Sequence, residues 1–237
     1  MKRGQAWFSW ALLTPSLLFL GAFLVLPTLL LLALSVREVD SMLNVLPSFG
    51  WAQYREVLTS PVYLHAIFTT LWVSLLTTVL CIVLAYPAAW LLATTPSRGV
   101  RTLLYILLIS PLLTSVVIRT FAWIVLLAQN GLINDLLQDL GLIERPLAML
   151  WNLQAVVIAY VQVMLPFAVL PIATSLAGIH GNLSQASMSL GAGRIYTFTR
   201  VILPLSIPGM VTGAIIVFAL AAGSYITPLL IGGRLQP

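Results

Sequence analysis

The side chains able to do chemistry lie in or beside long apolar stretches of this chain: Tyr86, Arg119, Tyr160, Gln162, Ser224, Tyr225 and Thr227. Their hydroxyls, amide and ring faces suit binding and passage of a solute, and aromatic faces can stack on a cationic amine. None is paired as nucleophile and base. Arg119 is the one charge within an apolar span, where insertion costs roughly 2.5–3.5 kcal/mol. It lies about 24 Å along a helix from Leu103, toward the outer side. There it can snorkel outward or bond to helix-end carbonyls, and as a cation it disfavours a direct amine site.

Cys81 is the only cysteine. Neither a disulfide framework nor a cysteine metal cluster can therefore form, and the thiol reads as a small buried hydrophobe. No Asp, Glu or Lys lies in any span; His65 stands at an entrance and His180 in a loop. Proton-coupled carriers need intramembrane titratable groups, so a proton gradient is an improbable energy source. No Gly-x-x-x-x-Gly-Lys-Ser/Thr phosphate loop occurs, so ATP hydrolysis requires another protein. The catalytic and metal-ligating sets are both empty.

These residues are held in an integral membrane protein. Sixty per cent of residues are hydrophobic and 7% charged, with a mean hydropathy of +1.06. Soluble domains carry about 25% charged residues. A single transmembrane domain, residues 1–237, is expected, all-α, with spans at about 11–36, 66–93, 103–128, 153–177 and 209–231, each near the ~20 residues a crossing needs. Pro27, Pro87, Pro111, Pro166 and Pro171 fall inside them, where neighbouring groups must re-satisfy the backbone. Met1-Lys2-Arg3 precedes an apolar run too long for a signal peptide, so the first span reads as a retained anchor.

Charge sets the orientation. With the amino terminus in the cytoplasm, that side holds Lys2, Arg3, Arg98, Arg101, Arg194 and Arg200 and no acid. The opposite side holds Arg37, Arg55, Arg145 and Arg234 with Glu38, Asp40, Glu56, Asp135, Asp139 and Glu144. Positive residues inside is the expected rule. The net +5 therefore reflects topology and gives no reason for a nucleic-acid partner. Outside, 46–58 is expected as a short interfacial helix carrying Trp51 and Tyr54. Asn130-Gly131 marks a turn, 132–140 a helix, and Gly141 its end.

The cytoplasmic segment 178–208 is far longer than a reconnection requires. Asn182 or Ser184 can cap a short helix with Leu183, Ala186 and Leu190 on one face. Gly191 and Gly193 permit the left-handed turn that ends it. A second piece, 194–200, presents Tyr196 and Phe198 before Leu203-Pro204. Such a segment reads as a docking surface for an energy-supplying partner. An unpartnered amphipathic surface helix is the alternative.

Gln185-Ala186-Ser187, three residues, Gly191, nine residues and Val201-Ile202-Leu203-Pro204 resemble the Glu-Ala-Ala…Gly…Ile-x-Leu-Pro loop of binding-protein-dependent ABC importer permeases. Ala85-Tyr86-Pro87-Ala88, Ile118-Arg119-Thr120-Phe121-Ala122-Trp123, Asn130-Gly131-Leu132-Ile133-Asn134, Tyr225-Ile226-Thr227-Pro228 and Leu230-Ile231-Gly232-Gly233 are similar to its spermidine/putrescine branch. The resemblance implies a type I importer permease fold, normally of six spans against five visible here, in a bacterial inner membrane. It implies a coupling loop at 178–208, with Gln185, Ala186, Ser187, Leu190, Gly191, Arg194, Leu203 and Pro204 engaging the ATPase. Gln185 replaces the usual acid and Ser187 the second alanine, which would turn an ion pair into a neutral hydrogen bond. Further implied are two ATPase subunits holding ATP and Mg, a second homologous permease, an extracytoplasmic solute-binding protein, and no cofactor on this chain. An ion-coupled carrier built on broken helices and a non-transporting scaffold are the rival readings.

Overall fold

The computed structural model describes residues 12–39, 45–179 and 181–232. Ala11, Lys2, Arg3, Asp40, His180, Gly233 and Arg234, to which the sequence assigns a span end, loop charges, a loop histidine or a motif position, lie outside the described residues. Among these, five helical runs are long and apolar enough to cross a membrane: Leu12–Ser35, Pro61–Thr94, Val116–Asp139, Leu153–Ala177 and Arg194–Gly223. The chain forms two compact units, Met1–Ala66 and Ile67–Pro237.

In the first unit, α1 (Leu12–Ser35) carries a widened turn at Gly21–Val25, closed by the Leu26 N–H donating to the Gly21 carbonyl. Pro27 follows it. A proline gives no N–H to its i−4 carbonyl and its ring crowds the preceding turn, and widening that turn relieves both. The expected helix at 46–58 is replaced by a strand, β2 (Val45–Phe49), antiparallel to β1 (Arg37–Val39), then by α2 (Ala52–Thr59). The physical reason is Gly50. It weakens a helix interior by about 1 kcal/mol, and its N–H is committed to the Val36 carbonyl at 2.9 Å. Tyr54 lies 2.7 Å from the Ser35 hydroxyl, tying α2 to the end of α1.

The second unit is organised on α7 (Leu153–Ala177), which keeps Pro166 and Pro171 inside it and buries Ala155, Tyr160, Ala168, Ile172 and Leu176. Its most extensive partner is α10 (Leu203–Gly223). Gly209, Gly213, Val217 and Ala221 recur every four residues along α10, and all four are buried. With no hydrophobic drive between helices in lipid, small residues that let backbones approach hold such a pair. The fifth span therefore belongs to the helical run Arg194–Gly223, ends at Gly223 and does not occupy 209–231. Pro204 and Pro208 both sit within this continuous helical run. The widened turn Phe198–Ile202 precedes Pro204, with the Leu203 N–H donating to the Phe198 carbonyl. It repeats the arrangement at Pro27. Beyond Gly223 the chain extends at Ser224 and forms α11 (Ile226–Ile231).

Helix α3 (Pro61–Thr94) retains Pro87. The expected third span, 103–128, is broken. Helix α4 (Arg98–Ile109) runs into a tight turn at Ser110–Leu113, Thr114 and Ser115 are extended, and α5 (Val116–Leu127) begins afresh. Pro111 and the Thr114-Ser115 pair favour this break. The freed Pro111 carbonyl accepts bonds from the Thr114 hydroxyl, at 2.8 Å, and from Arg119.

Helix α6 (Leu132–Asp139) forms where expected, and Gly141 ends it at φ 67°. Asn134 is fully buried. Its amide donates to the carbonyls of Ala128 (3.0 Å) and Leu147 (3.1 Å) and accepts from the Leu147 N–H (2.9 Å). One side chain thus pins both ends of an external loop. Asn134→Leu is expected to lower stability by at least about 2 kcal/mol, since it strands buried backbone groups. Faster proteolysis of the 128–152 segment in detergent checks this; unchanged proteolysis contradicts it.

Candidate functional site: the coupling segment and the outer cavity

Two places gather the residues singled out in the sequence. The first is the loop. Helix α8 (Gly181–Ser189) begins at Gly181, so Asn182 and Ser184 lie inside it and do not cap it. Its end is closed by a paired hydrogen-bond motif. Gly191 donates to the Met188 carbonyl (3.0 Å) and Ala192 to the Ser187 carbonyl (3.2 Å), the pattern of a left-handed cap. Gly191 has φ 87°. Gly193, expected to share that role, is extended at φ −69° and precedes α9 (Arg194–Thr197). From Arg194 the helix continues through the widened turn into α10, so the second piece is the root of the fifth span.

The outward surface of this segment is apolar. Leu190 is 89% exposed and Ile195 82%, and Leu183, Met188 and Tyr196 are exposed too. Gln185, Ala186, Gly191, Arg194 and Pro204 are exposed, whereas Ser187 and Leu203 are half-buried. Exposed leucine and isoleucine beside two small glycine-bounded helices make an apolar patch on this segment. Ser187, the departure from the family alanine, makes a contact an alanine could not. Its hydroxyl lies 3.0 Å from that of buried Thr197 and ties α8 to α9.

The second place is a cavity of about 80 Å³ lined by Thr69, Thr70, Ser74, Tyr160, Ser224 and apolar neighbours. It lies where α10 ends, and the Tyr160 hydroxyl donates to the Ser224 carbonyl at 2.7 Å. Only Tyr160 and Ser224 of the candidate path residues line it. Tyr225 is 72% exposed and Thr227 is buried. Gln162 accepts from the Trp123 indole at 3.4 Å, joining α7 to α5. Arg119 holds the end of the broken third span, the helix-end arrangement that the sequence left open beside snorkelling. Tyr86 belongs with the other place: its hydroxyl is 3.1 Å from that of Ser206, and its ring meets Phe198. Sequence reasoning assigned no role to Asn134, Thr197, Ser206, Gly209 or Gly213. Only the last two carried a readable signal, the Gly-x-x-x-Gly spacing.

No protein-family profile matches the chain. It is 35% identical over 215 residues to the spermidine/putrescine transport system permease protein PotB of Escherichia coli (strain K12), across 91% of this chain and 78% of that protein. To the inner membrane ABC transporter permease protein YdcU of the same organism it is 34% identical over 205 residues, covering 81% and 65%. In structure it is similar to a chain of the bacterial alginate ABC transporter solved in complex with an alginate pentasaccharide-bound periplasmic protein. That match has a TM-score of 0.69 at 20% identity and covers 87% and 69%. At that identity the likeness shows the fold.

Proposed function

This chain belongs to the permease family of ABC importers, and on that premise we propose that its solute is a polyamine of the spermidine/putrescine type. As a member it is a multi-pass inner-membrane subunit of an ABC transporter complex. It performs no catalysis, binds no cofactor, and leaves ATP hydrolysis to a separate subunit. An independent ion-coupled carrier and a scaffold both give way to that membership. The observation that carries the polyamine reading is the 35% identity to PotB along 91% of the chain.

The finer assembly follows from the same premise. An ATPase subunit dimer docks on the cytoplasmic face, engaging 178–208 of this chain, a second permease completes the path, and an extracytoplasmic binding protein delivers the solute. Gln185, Ala186, Ser187, Leu190, Gly191, Arg194, Leu203 and Pro204 form or support this chain's share of the docking surface. Tyr86, Arg119, Tyr160, Gln162, Ser224, Tyr225 and Thr227 line or shape the path, with Tyr160 and Ser224 at the outer cavity. The spans bring no carboxylate to a solute ammonium. Charge recognition therefore falls to the binding protein or partner permease, while this chain offers hydroxyls and aromatic faces.

The test is purification of the tagged chain in mild detergent from its native host. It is followed by ATP-dependent uptake of radiolabelled spermidine into vesicles holding the recovered complex. An accompanying ATPase and saturable spermidine uptake support the reading. An ATPase with no spermidine or putrescine uptake overturns the solute, and an intact chain without an ATPase overturns the assembly.

A further inference from the structure

We propose that Phe198 is the positioning residue through which movement of the coupling segment reaches α3, with Tyr86 and Trp90 gripping its ring. This rests on the docking role given above to the 178–208 segment. Phe198 opens the widened turn Phe198–Ile202, directly after α9. Its ring stands edge-on to Tyr86, with centroids 5.7 Å apart and planes at 88°, and to Trp90, also at 5.7 Å and at 75°. Both spacings and angles suit the attraction of a ring edge to a ring face. Tyr86 and Trp90 are four residues apart and so stand on one face of α3, one turn from each other. Two rings of the second span thus hold one ring of the coupling segment.

Polar contacts continue the link at both ends. Upstream, Thr197 is bonded to Ser187 of α8. Downstream, the Tyr86 hydroxyl meets Ser206, which also donates to the Leu203 carbonyl at 2.8 Å. A push on α8 therefore passes through Ser187–Thr197 to Phe198 and from there into α3. The direct packing of α8 on its neighbours is looser. A groove of about 280 Å³, lined by Trp90, Leu176, Ile179, Ser184 and Ile202 among others, lies beneath it. That groove leaves space between α8 and Trp90 of α3, whereas the Phe198 ring already meets both Tyr86 and Trp90. The widened turn supplies the adjustable part. Its i→i−5 bonds hold one residue more than an α-turn, and such turns recur at functional positions in helices.

The test uses the intact transporter complex in lipid vesicles, with two readouts: spermidine uptake, and the stimulation of ATP hydrolysis by the native solute-loaded binding protein. The second needs no knowledge of the solute, and wild-type uptake tests the polyamine reading before any variant is made. Trp90→Ala, outside the docking segment, is expected to keep the ATPase subunit bound and basal hydrolysis within about twofold, while uptake and stimulation fall about tenfold. Phe198→Leu and Trp90→Leu are expected to give smaller losses, with the double variant no worse than the more severe single one, because both act on the same link. A Trp90→Cys, Phe198→Cys pair in a Cys81→Ala background is expected to regain stimulation when bridged by a short bis-methanethiosulfonate reagent, each thiolate displacing a sulfinate as its disulfide forms. Normal stimulation in Trp90→Ala overturns the proposal. Loss of the ATPase subunit from that variant, multiplying losses in the leucine pair, or a bridge that abolishes stimulation also overturns it.

Discussion

Gly191→Val is expected to reach the membrane in normal amount and to lose roughly five- to thirty-fold in ATPase recovery and solute uptake, while Gly191→Asn stays near wild type. The argument is one of backbone conformation. Gly191 has φ 87°, and a Cβ built there meets nothing within 4 Å. Substitution therefore creates no collision, and the whole effect comes from the left-handed backbone. That conformation costs an ordinary L-residue roughly 1–2 kcal/mol, the equivalent of a factor of about 5–30 in population. Valine, branched at Cβ, adopts it least readily, and asparagine tolerates it. When the turn is refused, the bonds from Gly191 and Ala192 back to Met188 and Ser187 break. Leu190 then points elsewhere, and Ser187 drifts from Thr197. Apparent affinity for the partner falls with the fraction of molecules holding the competent loop. Co-purification of the ATPase, with uptake measured beside it, reads the effect. Equal behaviour of the valine and asparagine variants would sink the conformational explanation.

The Gly191 hinge was readable because its cause is local: two glycines between two short periodic segments. The spans were readable for the same reason, since hydropathy sums over neighbours in sequence. Boundaries were less so, and the errors share a cause. Pro111 interrupts a stretch that hydropathy sees as continuous, because apolarity does not report whether the backbone is helical. Pro204 and Pro208 read as the end of a loop, yet a helix admits interior proline at a cost, which the widened turn before Pro204 lowers. The strand at Val45–Phe49 was hidden because its pairing with Arg37–Val39 is a contact between segments. The site followed the same division. Ser187 looked like a weakened motif position until folding placed Thr197 beside it. Tyr160 and Ser224 stand 64 residues apart in sequence and share a hydrogen bond. Tyr86, grouped with them by residue type, stands away from that cavity, with its ring against Phe198.

The same dependence on distant contacts makes Gly209 the most vulnerable glycine at the contact of α7 and α10. A Cβ added there would lie 2.5 Å from the Ser175 Cβ and 2.6 Å from the Pro171 carbonyl oxygen. Both belong to α7, and one is backbone, so neither can be moved by a rotamer change. At Gly213 the nearest atom, the Ala168 Cα, is 3.2 Å away, a separation that a small shift can absorb. Gly209→Ala is therefore expected to destabilise by about 1–3 kcal/mol, the usual cost of overpacking, and Gly213→Ala by less. Gly209→Leu must force α7 and α10 apart along the face that also buries Gly213, Val217 and Ala221. Little of that protein is expected in the membrane. Ser175→Gly removes one of the two colliding groups and should recover part of the Gly209→Ala loss, leaving the Pro171 contact as the residue. Thermal midpoints of the four variants in one detergent provide the comparison. A larger loss at Gly213 than at Gly209, or no recovery with Ser175→Gly, would show that close approach of these two helices is not what the glycines provide.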